Sequence, residues 1–260
     1  MTQVLVGADP ELFLTDMNSK RFISSIGKFG GTKHKPKSIG SGCLIQEDNV
    51  AVEFNIPPSK SEEEFVKHIE YSLATLADRA RKMDLNLSFT ATANFDDDQL
   101  EHPKAKEFGC EPDYNAWTQM RNPRPKAIDY SLRSCGGHIH VGCHEFDPFE
   151  MARTMDLFLG VPSITLDPNS KRRELYGQAG ACRRKPYGVE YRVLSNFWLR
   201  THAEIAWVFK QTQRSIEFLR IGNRLNVDDG IMIQESINTS NISLANKLME
   251  KYDELGINLL

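Results

Sequence analysis

The sequence predicts an α+β protein built on a largely antiparallel sheet. Three observations lead there. The order of elements reads β, α, β, β, α, β, α, α, with hairpin-like strands rather than a regular βαβ alternation. Short apolar runs alternate with polar residues, most cleanly from Val50 to Ile56, where Pro57 and Pro58 stop the strand. And four of these runs each place two polar side chains two residues apart: Asp9 and Glu11, Glu53 and Asn55, His138 and His140, Glu190 and Arg192. Successive strand side chains point to opposite faces, so each such pair shares one face of its strand, and four strands together make a polar floor.

Each element has its own signal. Val4 to Leu14 reads as a first strand that Pro10 confines to an edge or a bulge. Residues 24–42, rich in Gly, Ser and Lys, read as a mobile loop, more often solvated than phosphate-binding. Ser61 with Glu64 forms a capping box, and Phe65, Ile69, Leu73, Leu76 and Ala80 follow at helical spacing, so an amphipathic helix is expected to about Met83. Leu85 to Ala93 reads as a strand. Residues 94–134, dense in Pro, Asp, Lys and Asn, read as a long loop, and such loops are usually functional. A Gly-flanked strand follows over 134–142, then a helix over 148–161, whose Met151 and Met155 suit core filling. After a turn at Asp167-Pro168-Asn169, a basic, Gly-punctuated segment feeds the strand from Val189 to Phe197, and the chain is mostly helical from about residue 202.

The chain of 260 residues, 40% hydrophobic, is expected to form one domain over residues 1–260. The net charge of -3 hides no large block of one sign, so no obligate nucleic-acid or membrane partner is called for. No apolar run approaches the roughly 20 residues that span a bilayer, and the opening MTQVLVGADPEL lacks the regions of a signal peptide, so a soluble, cytoplasmic protein is expected. Cys43, Cys110, Cys135, Cys143 and Cys182 are odd in number and scattered, which fits free thiols.

The eight paired positions hold four carboxylates, two His, one Asn and one Arg, whereas solvated faces are usually built from Lys, Thr, Ser and Glu. For any one pair the solvated reading is the commoner, but together they make a set of metal ligands with an anion clamp. Asp9, Glu11, Glu53 and Glu190 favour a hard cation, Mg2+ or Mn2+. A zinc ion on His138, His140 and a carboxylate is the rival, because H-x-H on a strand is a zinc geometry. Five arginines between Arg172 and Arg192 supply guanidinium forks that suit phosphate, with Arg183, Arg184 and Arg192 nearest the carboxylate strand.

The strands Gly7 to Leu14, Gly136 to Val141 and Val189 to Arg192 resemble three signature strands of the glutamine synthetase and glutamate-cysteine ligase superfamily. GADPELFL, VEFNIPP, GGHIHVG and RRELYGQAGACRRKPYGVEYRVLSNFW resemble more closely the phage carboxylate-amine ligase (amidoligase type 2) family, from Gly7 to about Trp198. The resemblance implies a curved sheet with helices packed on its outer face, like the glutamine synthetase catalytic domain, and cytoplasmic action, in the host if the protein is phage-encoded. It implies two divalent-metal positions, one with Asp9, His138 and Glu190, the other with Glu11 and Glu53. Asn55 would lie beside the second and contact the nucleotide. Arg183 and Arg184 would hold ATP phosphates, and Arg192 the transferring phosphate. Glu53 and His140 complete the catalytic set, His140 facing substrate or the γ-phosphate, and a carboxylate or His140 would take a proton from the amine. Asp9 stands where glutamine synthetases carry Glu, and no ammonia site is evident.

The implied reaction joins a small-molecule or peptide carboxylate to an amine with ATP and Mg2+, through an acyl phosphate. Two other classes stay in view: a zinc or manganese hydrolase on His138, His140 and Glu190, needing no nucleotide, and a non-catalytic binding protein that keeps the fold as a scaffold. The substrates' identities and the oligomeric state are open.

Overall fold

The structure, a computed structural model, describes residues 3–106, 113–123, 129–167 and 169–260. Cys110 and Pro168 lie outside these residues. The N-terminal part contains β1 (Leu5–Ala8), β2 (Glu11–Asp16), β3 (Phe22–Ile23), β4 (Lys37–Gly40), β5 (Cys43–Asp48), β6 (Ala51–Asn55) and the long helix α1 (Glu62–Arg81). The middle carries β7 (Leu85–Ser88), β8 (Thr92–Asn94), β9 (Tyr114–Asn115), β10 (Leu132–Ser134) and β11 (Ile139–Gly142). Then follow α2 (Pro148–Met155), a π-helical turn (Asp156–Gly160), α3 (Val161–Leu166), α4 (Lys171–Leu175), β12 (Ala181–Lys185) and β13 (Gly188–Tyr191). Helices α5 (His202–Arg220), α6 (Val227–Asn238) and α7 (Ile242–Glu254) close the chain.

All the strand pairings are antiparallel. One sheet has the order β1-β11-β13-β12-β9; a second runs β3-β2-β6-β5-β4, with β7 on β2; β8 and β10 form a small third. The first strand expected across Pro10 is two strands, and the two larger sheets meet there. Asp9 N donates to His138 O at 3.3 Å and Glu11 N to Gly136 O at 2.9 Å on one side. On the other, Phe54 N donates to Pro10 O at 3.2 Å and Ile56 N to Ala8 O at 3.1 Å. Pro10 has no N–H, so it accepts from β6 and gives nothing back, and the ladder breaks at that point. The result is one curled surface through the Asp9–Glu11 segment.

Leu12, Leu14, Phe54, Ile139, Val189 and Tyr191 point away from the polar floor into the main core. There Phe65 of α1 stacks on Trp198, with ring centroids 6.1 Å apart. The core draws on residues from Val4 to Leu259, with α1 and α2 packed on strands and α5 packed on α1 and α2. The helix α1 starts at the expected N-cap, Ser61 Oγ accepting from Glu64 N at 3.2 Å, but Glu64 reaches one residue further back than a capping box requires and accepts from Lys60 N at 2.7 Å. A second cluster, Phe13, Phe22 and Phe95 with Leu100, covers the far end of β2.

Several expected elements are divided. Leu85 to Ala93 is β7 and β8, which belong to different sheets. Residues 134–142 end β10 and supply β11. The expected helix over 148–161 widens into the π turn at Asp156–Gly160 and continues as α3. Residues 24–42 are not a bare loop. Glu47 accepts from the N–H groups of Gly27, Phe29 and Gly30 at 2.7–2.9 Å, Phe29 is buried, and β4 pairs with β5. Cys43, Cys135, Cys143 and Cys182 are free and buried.

Candidate active site

Register turns the four sequence pairs into neighbours. His140 lies opposite both Gly7 of β1 and Glu190 of β13, and Arg183 of β12 lies opposite Glu190. Glu11 lies opposite Glu53, and Glu53 opposite Gln46. Two groups of potential ligand atoms result, each with all atoms within 4.8 Å of one another: Asp9, His138 and Glu190 in one, Glu11, Asp48 and Glu53 in the other. Asp48 was not singled out by the sequence. It stands two residues beyond Gln46 on β5, with the same strand parity as the residues facing Glu53.

Two glycines make this packing possible. Gly136 N donates to Glu11 Oε2 at 2.7 Å, and a Cβ on Gly136 would lie 2.2 Å from His138 Nε2. A Cβ on Gly137 would lie 2.3 Å from both Ser195 O and Trp198 Nε1. The GGHIH motif is therefore two close approaches followed by a strand that presents both imidazoles on one face.

The electrostatics divide the floor. At one end burial, reinforced by repulsion from Asp48, pushes the Glu11 carboxyl up to about 8 against the pull of the Gly136 N–H. Glu53 is raised well above its ordinary range by burial and by the charges of Asp9, Glu11 and Asp48. Asn55 does not stand apart as a ligand; its Nδ2 donates to Glu53 Oε1 at 3.2 Å. At the other end Glu190 is 1% exposed and ringed by cations. Its Oε1 accepts from Arg192 Nη1, and from Arg183 Nη1 at 3.2 Å, and Lys185 Nζ lies 2.7 Å from its Oε2. Burial alone would raise the Glu190 carboxyl, but Arg192 foremost, with His138 and Arg183, brings it down to about 2.

Asp9 and the histidines join the two ends. Asp9 Oδ1 lies 2.9 Å from His140 Nε2 and 3.4 Å from His138 Nδ1. Burial opposes the Asp9 charge, but the two imidazoles outweigh it and hold the carboxyl well below its ordinary range. His138 falls to about 4, through burial and the Arg192 charge, so it is neutral at pH 7. His140 moves upward instead: burial works against its charge, and Asp9 and Glu190 more than compensate. Its Nδ1 is bonded to Tyr187 Oη, from the β12–β13 turn.

Three expectations are corrected. Arg184 does not reach the floor: it follows Arg183 on the strand and so takes the other face, 3.5 Å from Asp147 and over the Phe149 ring. Lys185, which the sequence did not single out, takes the inward position. Arg172 and Arg173 are buried and serve carbonyls, Arg172 Nη1 donating to Val193 O at 2.8 Å and Arg173 Nη1 to Asn169 O at 3.3 Å. His140 is committed to Asp9 and Tyr187, so the converging set is Asp9, His138 and Glu190 rather than His138, His140 and Glu190.

No curated protein matches the sequence. Two solved structures are among those to which the chain is similar. One is described as "Apo GmaS without ligand", at 12% identity and a TM-score of 0.42, covering 97% of this chain and 70% of that one. The other is described as "GmaS/ADP complex-Conformation 1", at 10% identity and a TM-score of 0.40, covering 98% and 70%. Residues 125–212, the stretch that carries His138, His140, Glu190 and Arg192, match the family model "Phage phiEco32-like COOH.NH2 ligase-type 2", the family that the chain's motifs resemble.

Proposed function

We propose that the chain is an ATP- and Mg2+-dependent carboxylate-amine ligase that forms an amide through an acyl phosphate. The observation that carries this reading is the polarity of the floor. Carboxylates gather at one end (Glu11, Asp48, Glu53), cations at the other around Glu190 (Arg183, Lys185, Arg192), and Asp9 and His138 lie between. Such a face suits a polyphosphate lying across divalent ions. The donor set fits Mg2+ or Mn2+, being hard oxygens with a single imidazole, and the Glu11 and Glu53 carboxyls, raised by burial and then by their acidic neighbours, are ones that a bound cation would help to ionise. Metal bound by Asp9, His138 and Glu190, and by Glu11, Glu53 and Asp48, would neutralise charge on the nucleotide phosphates.

The chain's own residues do the rest. A carboxylate oxygen of the first substrate attacks the γ-phosphorus of ATP, and ADP leaves. The amine then attacks the acyl carbon, inorganic phosphate leaves, and the amine proton passes to a base, either a carboxylate such as Glu53 or His140 once it exchanges its present partners. Arg192 and Arg183 follow the transferring phosphoryl group by charge-assisted hydrogen bonds, while Asn55 orients Glu53. The substrates are a small-molecule or peptide carboxylate and an amine, as a carboxylate-amine ligase requires. Dependence on ATP fits the cytoplasm, and no helix among the described residues is long and apolar enough to cross a membrane.

Hydroxylamine tests this reading, because it replaces the amine and converts an acyl phosphate to a hydroxamate. With MgATP and a panel of amino-acid and peptide carboxylates, hydroxamate should appear in step with ADP. A protein that neither consumes nor binds MgATP, yet hydrolyses a substrate with zinc, would contradict it.

A further inference from the structure

The segment 113–123 grips β13 and its continuation from both faces of the sheet. On the polar face Asp113 Oδ2 lies 3.5 Å from Arg192 Nε, and Asp113 Oδ1 accepts from Asn122 Nδ2 at 2.9 Å. On the helix face Trp117 Nε1 donates to Asp156 Oδ2 at 2.7 Å, and Tyr191 Oη donates to Asp156 Oδ1 at 2.8 Å. Tyr191 and Arg192 are consecutive, so their side chains leave the strand on opposite sides. A single short segment thereby holds one residue directly and its neighbour through a shared carboxylate.

The fit behind the sheet is close. Asp156 is fully buried in the π turn, a form of helix that is rare and often found at functional sites. A Cβ on Gly160 would stand 2.8 Å from Tyr191 Oη, and one on Gly230 would stand 2.7 Å from the Trp117 ring. A buried carboxylate is costly unless hydrogen-bonded, and here each oxygen has a donor. The backbone adds Ala116 N donating to Gly180 O at 2.8 Å, and β9 pairs with β12.

In front of the sheet, the same segment completes the hold on one guanidinium. Arg192 Nη1 is bonded to Glu190 and lies 3.2 Å from His138 Nδ1. Asp113 sits at Nε, a different edge of the fork from Nη1, so its charge bears on the orientation of the guanidinium plane. Resting on the ligase reading, we propose that Asp113 is a positioning residue that aims Arg192 at the transferring phosphoryl group, and that Trp117 anchors the segment through Asp156 and Tyr191.

The test compares two probes by calorimetry on the full chain: MgADP alone, and MgADP with aluminium fluoride, a mimic of the phosphoryl group in transfer. Asp113→Asn keeps the shape and the Asn122 contact but loses the charge on Arg192. Trp117→Phe keeps the ring but loses its N–H. Asp113→Asn is expected to leave MgADP affinity within about twofold and weaken the aluminium fluoride complex roughly tenfold or more, since small misplacements at a reacting centre have large effects. Trp117→Phe should act in the same direction to a smaller extent. Wild-type affinity for both probes in Asp113→Asn, or equal losses for both, would overturn the positioning role. If wild-type protein binds MgADP but Trp117→Phe behaves as wild type throughout, the anchoring role is overturned. Wild-type protein that binds neither probe would overturn the ligase reading itself, and the proposal with it.

Discussion

At the scale of residues, the candidate site is a set of buried ionisable groups held close together, which gives a signed prediction. The folded-state pKa of Glu11 is raised to about 8, above its ordinary value of 4.5, so the protonated form is the one the fold favours. The contribution of Glu11 to the stability of the ligand-free protein is therefore fully present below pH 4.5 and is lost as the pH rises through about 8. Divalent ions need the ionised form, so Mg2+ should bind more tightly as pH rises toward 8, with proton release below that. Glu53→Gln should raise the melting temperature of the ligand-free protein at pH 8, because it removes a carboxyl that burial and acidic neighbours make costly to ionise, and abolish the stabilisation by Mg2+. Thermal melts across pH, with and without Mg2+, check both parts; a Glu53→Gln protein less stable than wild type at pH 8 would refute the repulsion argument. Most of these residues were legible because strand alternation pairs i with i+2. Asp48 was not, since Gln46-Glu47-Asp48-Asn49 reads as the approach to a turn. Lys185 was hidden for a related reason: in a basic run, only knowledge of which arginine faces inward separates Arg183 and Lys185 from Arg184.

At the scale of elements, the site depends on how strands are allowed to approach one another. Gly136 and Gly137 have distinct roles despite being adjacent. A methyl group on Gly136 meets the His138 ring, which can rotate away, whereas one on Gly137 meets the backbone carbonyl of Ser195, which cannot move without shifting the chain before Trp198. Gly136→Ala should therefore fold with a modest loss of stability, about 1 kcal/mol, and lose about tenfold or more in divalent-metal affinity through the Asp9–His138–Glu190 group. Gly137→Ala should lower stability more, by roughly 1–3 kcal/mol. Melting curves and metal titrations of the two variants distinguish these outcomes, and an unimpaired metal affinity in Gly136→Ala would argue against His138 as a ligand. The sequence gives the glycines and the strand, but not what the glycines touch. The break at Pro10 was anticipated as an irregularity, yet its outcome, two sheets joined through Asp9 and Glu11, depends on hydrogen bonds to Gly136, His138, Phe54 and Ile56, far along the chain.

At the scale of the whole molecule, one core from Val4 to Leu259 backs a curled sheet whose other face is polar, and that division explains why α+β architecture was legible while the loop region was not. Helices and strands announce themselves through periodicity. Residues 113–123 have none, and their place is set by Trp117 reaching Asp156 and by Asp113 reaching Arg192. The central claim is that the polar face binds nucleotide through divalent metal. It is tested most directly by calorimetric titration of ATP into wild-type protein and Glu190→Gln, each with and without Mg2+. The account predicts that wild-type protein binds ATP only with Mg2+ and that Glu190→Gln, still folded, loses that binding. Equal binding with and without Mg2+, or full binding in the variant, would contradict it.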